Sequence, residues 1–328
     1  MTECDSVKKI TKQFLCAVSL PQFNFYDLLN NPTIETQQII FNSTVDSEIV
    51  SKYPIDVNYQ KTFVKYILNV LEKQETAIDD CVYNAYGRLV ALPSNNYYFK
   101  HYMDNNGKII SLKENVSIIS EGTTGLKTWQ AALVFSEYAL KYPERFHGNN
   151  ILELGSGVGL AGLIITLNCH PKSFHFTDCH ASVLSTLCEN IKLNIPLSEE
   201  NSICNFDELI LNGITKEGTV KVLNLPWEKI DKDICEKLGN IEKVVAADVI
   251  YDSDLFKPLI NAIKCLGSCC NVQEFIFSCT ERNKDTLDEF LDLLSKDSFK
   301  IEELDVPRYD NFIWCNDTPV RLFSFMKL

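Results

Sequence analysis

An open α/β sheet, mostly parallel and covered by helices on both faces, is the fold that the second half of this 328-residue sequence predicts. Three observations point there. After Thr124 short apolar runs alternate with helix-length amphipathic stretches, one of those runs leads into a glycine turn, and two others end in an aspartate. Neighbouring parallel strands need a crossover of helix length, so this alternation is the mark of a parallel sheet.

Residues up to about 80 read as helical. Val7, Ile10, Phe14 and Val18 share one face, as do Phe63, Ile67, Val70 and Leu71, around a looser connector holding Pro21, Pro32 and Pro54. From Tyr97 to Ile119 the pattern changes to short strands, and Asn105-Asn106-Gly107 supplies the positive φ that a hairpin turn needs. The expected division is therefore a helical domain at 1–95, a β-hairpin connector at 96–120 and an α/β domain at 121–328. Within the last, Leu126, Trp129, Leu133 and Leu140 recur at helical spacing until Pro143. Strands are expected at 150–154, 173–177, 220–223, 243–249, 274–278, 299–303 and 320–326, and helices at 158–168, 181–194, 255–266 and 283–294. The last two strands have only a loop between them, which predicts an antiparallel hairpin at one sheet edge.

Composition narrows the function classes. A hydrophobic content of 45% can fill a core, and no window approaches the roughly 20 apolar residues of a membrane helix. The opening MTECDSVKKITKQF mixes polar and charged residues where a signal peptide would be apolar, so a cytoplasmic protein is expected. Thirteen cysteines, an odd number and scattered, read as reduced thiols. The dense group Cys265, Cys269 and Cys270 lacks a C-x-x-C pair and a neighbouring His, so it reads as small core residues and no metal is expected. A formal charge of −13 argues against direct nucleic-acid binding, which relies on clustered Lys and Arg, and suits a basic protein partner. A monomer is expected.

The strongest motif is the run 151–159, ILELGSGVG, in which an apolar strand enters a glycine turn at a helix start. Such a turn lets backbone approach a ligand without Cβ clashes, and the free N–H groups of the helix favour an anionic group. A dinucleotide fingerprint would need a third glycine where Leu160 stands. The register here is E-x-G-x-G-x-G, built on Glu153, Gly155, Gly157 and Gly159 with Ser156 inside it, which is a pattern of S-adenosyl-L-methionine binding with S-adenosyl-L-homocysteine as product. Asp178 closes the second strand at the carboxyl edge, where a carboxylate can accept both ribose hydroxyls or cap the following helix. The fourth strand ends in Asp248, with Tyr251 three residues on, at the same edge.

Together these residues resemble the seven-strand lysine methyltransferases, methyltransferase family 16, with Asp248 and Tyr251 as its D-x-x-Y motif. The blocks ISEGTTGLKTWQAAL at 119–133 and SFHFTDCH at 173–180 are most similar to the members that act on elongation factor 2, a likeness running from Ile119 onward. The resemblance implies a class I, Rossmann-like methyltransferase with a seven-stranded sheet. It also implies methyl transfer to a lysine of a cytosolic translation protein, elongation factor 2. Trp129 would border the cofactor, the backbone from Gly155 to Gly157 would hold its methionine portion, Asp178 its ribose, and Trp227 and Ala247 its adenine. Where the family usually has Asp-Trp this chain has Pro226-Trp227, so any contact by that acid does not carry over. Asp248 and Tyr251 would orient the target amine. Other acceptors and a non-catalytic cofactor-binding scaffold are the competing readings. The glycine register disfavours a nicotinamide dehydrogenase.

Overall fold

A computed structural model describes residues 3–30, 32–199, 206–307, 311–312 and 318–328. It divides into two compact units, Met1–Ile118 with Asn311–Ile313, and Ile119–Asp310 with Trp314–Leu328.

The first unit comprises helices α1 (Glu3–Leu15), α2 (Ile34–Ser43), α3 (Glu48–Lys52), α4 (Val57–Lys73) and α5 (Asp80–Ala91), followed by the strands β1 (Tyr97–Met103) and β2 (Ile109–Asn115). Asp56 starts α4 by accepting the Tyr59 N–H at 2.7 Å, which satisfies one of the donors a helix start leaves free. The helix then buries Phe63, Val64, Ile67 and Leu71 against Phe14 and Phe41. Full burial of such a side chain contributes about 1.5–3 kcal/mol. Helix extends to Ala91, beyond the expected limit near 80, with Val82, Ala85 and Leu89 facing the same core. In the hairpin turn Asp104 Oδ1 accepts the N–H groups of Asn106 and Lys108, both at 2.8 Å, and Gly107 takes φ +86°.

The second unit opens with α6 (Gln130–Lys141) and alternates thereafter: β3 (Asn150–Leu154), α7 (Leu160–Asn168), β4 (Ser173–Asp178), α8 (Ala181–Asn194), β5 (Ser198–Glu199), β6 (Leu209–Ile214), β7 (Thr219–Asn224), α9 (Lys232–Leu238), β8 (Lys243–Ala247), α10 (Phe256–Cys269), β9 (Glu274–Thr280), α11 (Lys284–Lys296), β10 (Phe299–Leu304) and β11 (Val320–Lys327). The sheet order is β10-β11-β9-β8-β3-β4-β7-β6-β5. From β9 through β8, β3 and β4 to β7 the pairing is parallel, while β11 runs antiparallel between β9 and β10. All seven expected strands are present, and the class I methyltransferase arrangement with its antiparallel closing hairpin is the observed fold.

Three local differences from the expectation stand out, two of them with physical causes. The antiparallel strands β5 and β6 extend the sheet beyond β7, to nine strands among the described residues. Strand β6 breaks register between Leu209 and Leu211, which blurs the two-residue alternation that marks a strand. Strand β8 stops at Ala247 rather than 249 because Asp248 adopts φ +63°, outside the extended region. Helix α6 starts at Gln130, leaving Trp129 in the extended residue ahead of its first turn.

Candidate active site

The carboxyl ends of β3, β4, β7 and β8 meet at one edge of the sheet, where open α/β folds form their ligand crevice. After Leu154 the chain turns through Gly155 at φ +65° and Gly157 at φ +52°. The turn is stitched to the end of β4: Ser156 N–H donates to the Thr177 carbonyl at 2.8 Å, and Ser156 Oγ accepts the Thr177 N–H at 3.1 Å. A Cβ on Gly155 would stand 3.0 Å from Val249 Cγ1 and 3.7 Å from the Trp227 ring, and one on Gly157 would stand 3.2 Å from the Gly125 carbonyl oxygen. Both glycines thus keep clear a strip of backbone that any side chain would crowd.

Beside this strip lies a cavity of about 450 Å³ whose walls include Trp129, Glu153, Gly155, Ser156, Gly157, Gly159, Asp178, Trp227, Ala247, Asp248 and Tyr251. Elements far apart in the chain therefore converge on one space. Asp178 Oδ1 accepts the N–H groups of Cys179 at 2.8 Å and His180 at 3.2 Å, and Oδ2 accepts that of Gly157 at 3.1 Å. Burial holds this carboxyl above its usual pKa, against the pull of those three donors. Glu153 is buried, and its Oε2 has no hydrogen-bond partner among the described residues. Burial pushes its pKa up to about 8, with the Ser156 hydroxyl and Gly162 N–H opposing the shift and Asp178 adding to it. At neutral pH Glu153 is a neutral acid.

A raised carboxyl pKa carries a definite stability sign. Below pH 4.5 both folded and unfolded chains hold the Glu153 proton, so its contribution is fully present there. It is lost as pH rises to about 8, because the unfolded chain ionises first. Glu153→Gln should therefore melt higher than the parent at pH 8.5, with the difference shrinking towards pH 5. Thermal melts across that range check it, and parallel curves would show that this carboxyl is not buried as a neutral acid.

Asp248 is the most constrained polar group at the site. Its side chain is 4% exposed and pairs with the two terminal guanidinium nitrogens of Arg282, at 3.1 and 2.7 Å. It also accepts the Thr280 N–H and hydroxyl, each at 3.1 Å. These four bonds fill the approximately four acceptor positions of a carboxylate. The Arg282 guanidinium lies 4.8 Å from the centre of the Trp129 ring, and the indole N–H donates to the Thr124 carbonyl at 3.1 Å. Tyr251 is 52% exposed. Partial burial and the acids Asp252, Asp178 and Asp248 raise its phenol pKa, so it stands at neutral pH as an uncharged hydroxyl. Neither Arg282 nor Thr280 is named by the sequence reading. Thr280 ends β9, the strand beside β8, and Arg282 follows two residues on, so the signal available was the carboxyl end of the next strand in the sheet.

Residues 104–297 match the lysine methyltransferase family. The chain belongs to that family. It is 30% identical to protein-lysine N-methyltransferase EEF2KMT of Mus musculus over 304 residues, covering 91% of this chain and 88% of that protein. To EEF2KMT of Homo sapiens it is 30% identical over 305 residues, covering 90% and 89%. Protein-lysine N-methyltransferase EFM3 of Chaetomium thermophilum is 26% identical over 268 residues, covering 75% and 74%. The chain is a protein-lysine methyltransferase that takes its methyl group from S-adenosylmethionine. The cavity suits that donor: it has the glycine cradle that a Cβ would fill, and its lining residues include Thr128, whose buried hydroxyl has no partner among the described residues. No helix of the described residues is long and apolar enough to cross a membrane.

Proposed function

We propose that this enzyme works as a monomer in the cytoplasm and methylates a lysine of elongation factor 2. The observation that carries the substrate is the similarity to EEF2KMT, which spans about 90% of both chains rather than the cofactor region alone. The net charge of −13 agrees with a basic target surface. In this reading the helical N-terminal part at 1–95, the hairpin region at 96–120 and the methyltransferase part at 121–328 act in one enzyme.

When bound, the donor supplies an electrophilic sulfonium methyl. The residues that would hold it are the Gly155, Ser156, Gly157 and Gly159 backbone for its methionine portion, Asp178 for the ribose, Trp227 and Ala247 for the adenine, and Trp129 at the border. Among the described residues Asp178 Oδ2 accepts one N–H, so a lone pair remains for a ribose hydroxyl. Glu153 sits buried under the turn and supports it. Pro226 has no N–H to offer beside the adenine.

The remaining task is the lysine. A free lysine has a pKa of about 10.4, so only a small fraction is neutral near pH 7, and only the neutral amine has a lone pair to attack with. A bare carboxylate beside it would favour the ammonium and oppose the reaction. Arg282 cancels that charge on Asp248. The ion pair then offers a fixed acceptor with little net charge, and the uncharged Tyr251 hydroxyl at the rim offers a second. Of the four donors on Asp248, the Thr280 hydroxyl turns away most readily, because the Arg282 pair is bidentate and the Thr280 N–H belongs to the backbone. An incoming amine would take its place on Oδ2, and alignment with the methyl would supply most of the acceleration.

The test is transfer of labelled methyl from S-adenosylmethionine into a cytosolic extract depleted of the endogenous enzyme. One labelled protein band at the size of elongation factor 2 is the expected result. Label in a different protein would overturn the substrate, and label in RNA or small molecules would overturn the acceptor class proposed here.

A further inference from the structure

Cys235 on α9 and Cys265 and Cys269 on α10 bring three sulfur atoms within 4.8 Å of one another. Among the described residues this is the one His, Cys, Asp or Glu group close enough to hold a metal ion. Helix geometry makes it so. Cys265 and Cys269 are four residues apart, hence on one face of α10, and Cys235 meets them from the neighbouring helix. The spacing of Cys265, Cys269 and Cys270 alone gives no metal pattern, because the third ligand comes from 30 residues upstream.

We propose that these three thiols form a site for a thiophilic ion, zinc or copper(I), distinct from the methyl-transfer cavity, whose walls include none of them. The Cys235 and Cys265 sulfurs are 3.7 Å apart. A tetrahedral zinc with metal–sulfur distances of about 2.3 Å requires sulfur–sulfur edges of about 3.8 Å. That pair already stands at the required edge, and the third sulfur needs to close by an ångström or less. Cys235 is buried, Cys265 is partly so and Cys269 is exposed, which provides an apolar floor and an entry path. Water at the open side beside the exposed Cys269 completes the coordination. Binding exchanges the thiol protons for one metal ion and changes no oxidation state. It ties α9 to α10, and α9 follows directly on the Trp227 segment that walls the cavity.

Full-length protein, stripped by a chelator under a thiol-free reductant, would be titrated with zinc chloride against a chromophoric indicator, and separately with copper(I). One equivalent per chain is expected, absent from Cys265→Ser and Cys269→Ser. Cobalt should give a thiolate-to-metal charge-transfer band in the parent alone. Both variants should keep their affinity for S-adenosylhomocysteine, which separates loss of the metal from loss of the fold. Uptake of copper(I) without zinc supports the site and assigns its ion. Equal uptake by the parent and a Cys265→Ser/Cys269→Ser double variant, or no uptake of either ion by the parent, overturns the proposal.

Discussion

Asp248→Asn should fold, bind S-adenosylhomocysteine with parental affinity, and lower the methylation rate by about 100-fold or more. Asparagine tolerates the left-handed φ of +63° that this position requires, so the chain need not move. What changes is the side chain. One acceptor oxygen becomes an NH₂ group facing the donors of Arg282 and Thr280, and the charge balance with Arg282 is lost. Arg282 is 41% exposed, so its charge passes to water, and the unmatched donors left around the buried amide should cost about 1–3 kcal/mol of stability. Steady-state kinetics with a calorimetric binding control checks this. A parental rate with normal cofactor-analogue binding would remove Asp248 from the mechanism.

Gly155→Ala should separate the other way, through the cofactor. An L-residue at φ +65° carries about 1–2 kcal/mol of strain. Its Cβ would also stand 3.0 Å from Val249 and 3.7 Å from the Trp227 ring, so the turn or the Trp227 wall of the cavity must shift. A loss of S-adenosylhomocysteine affinity of about tenfold or more follows, since 1.4 kcal/mol is a factor of ten. Calorimetry reads it directly. Unchanged affinity would mean that the cofactor does not lie along this turn.

These two residues also mark how far the sequence could be read. The glycine strip, Asp178 and the Asp248–Tyr251 pair were legible because each closes an apolar run, and strand ends in a parallel sheet share one edge. The partners of Asp248 were not. Arg282 and Thr280 lie more than 30 residues downstream, and their meeting depends on β9 pairing beside β8, a register that periodicity does not encode. The same limit hid Cys235 from Cys265. Strands β5 and β6 escaped for a different reason: one is two residues long and the other shifts register, so neither shows sustained alternation. The positive φ at Asp248 shortened a strand that its apolar content extended to Val249, since side-chain hydrophobicity carries no record of a single left-handed residue.

The most direct test of the account is to incubate purified elongation factor 2, taken from cells lacking the endogenous enzyme, with labelled S-adenosylmethionine and either the parent protein or Asp248→Asn. Tandem mass spectrometry then locates the label. The account predicts methyl groups on a lysine side chain with the parent and nearly none with the variant. An unlabelled elongation factor 2, under conditions where the parent binds the cofactor and labels another protein, would contradict it.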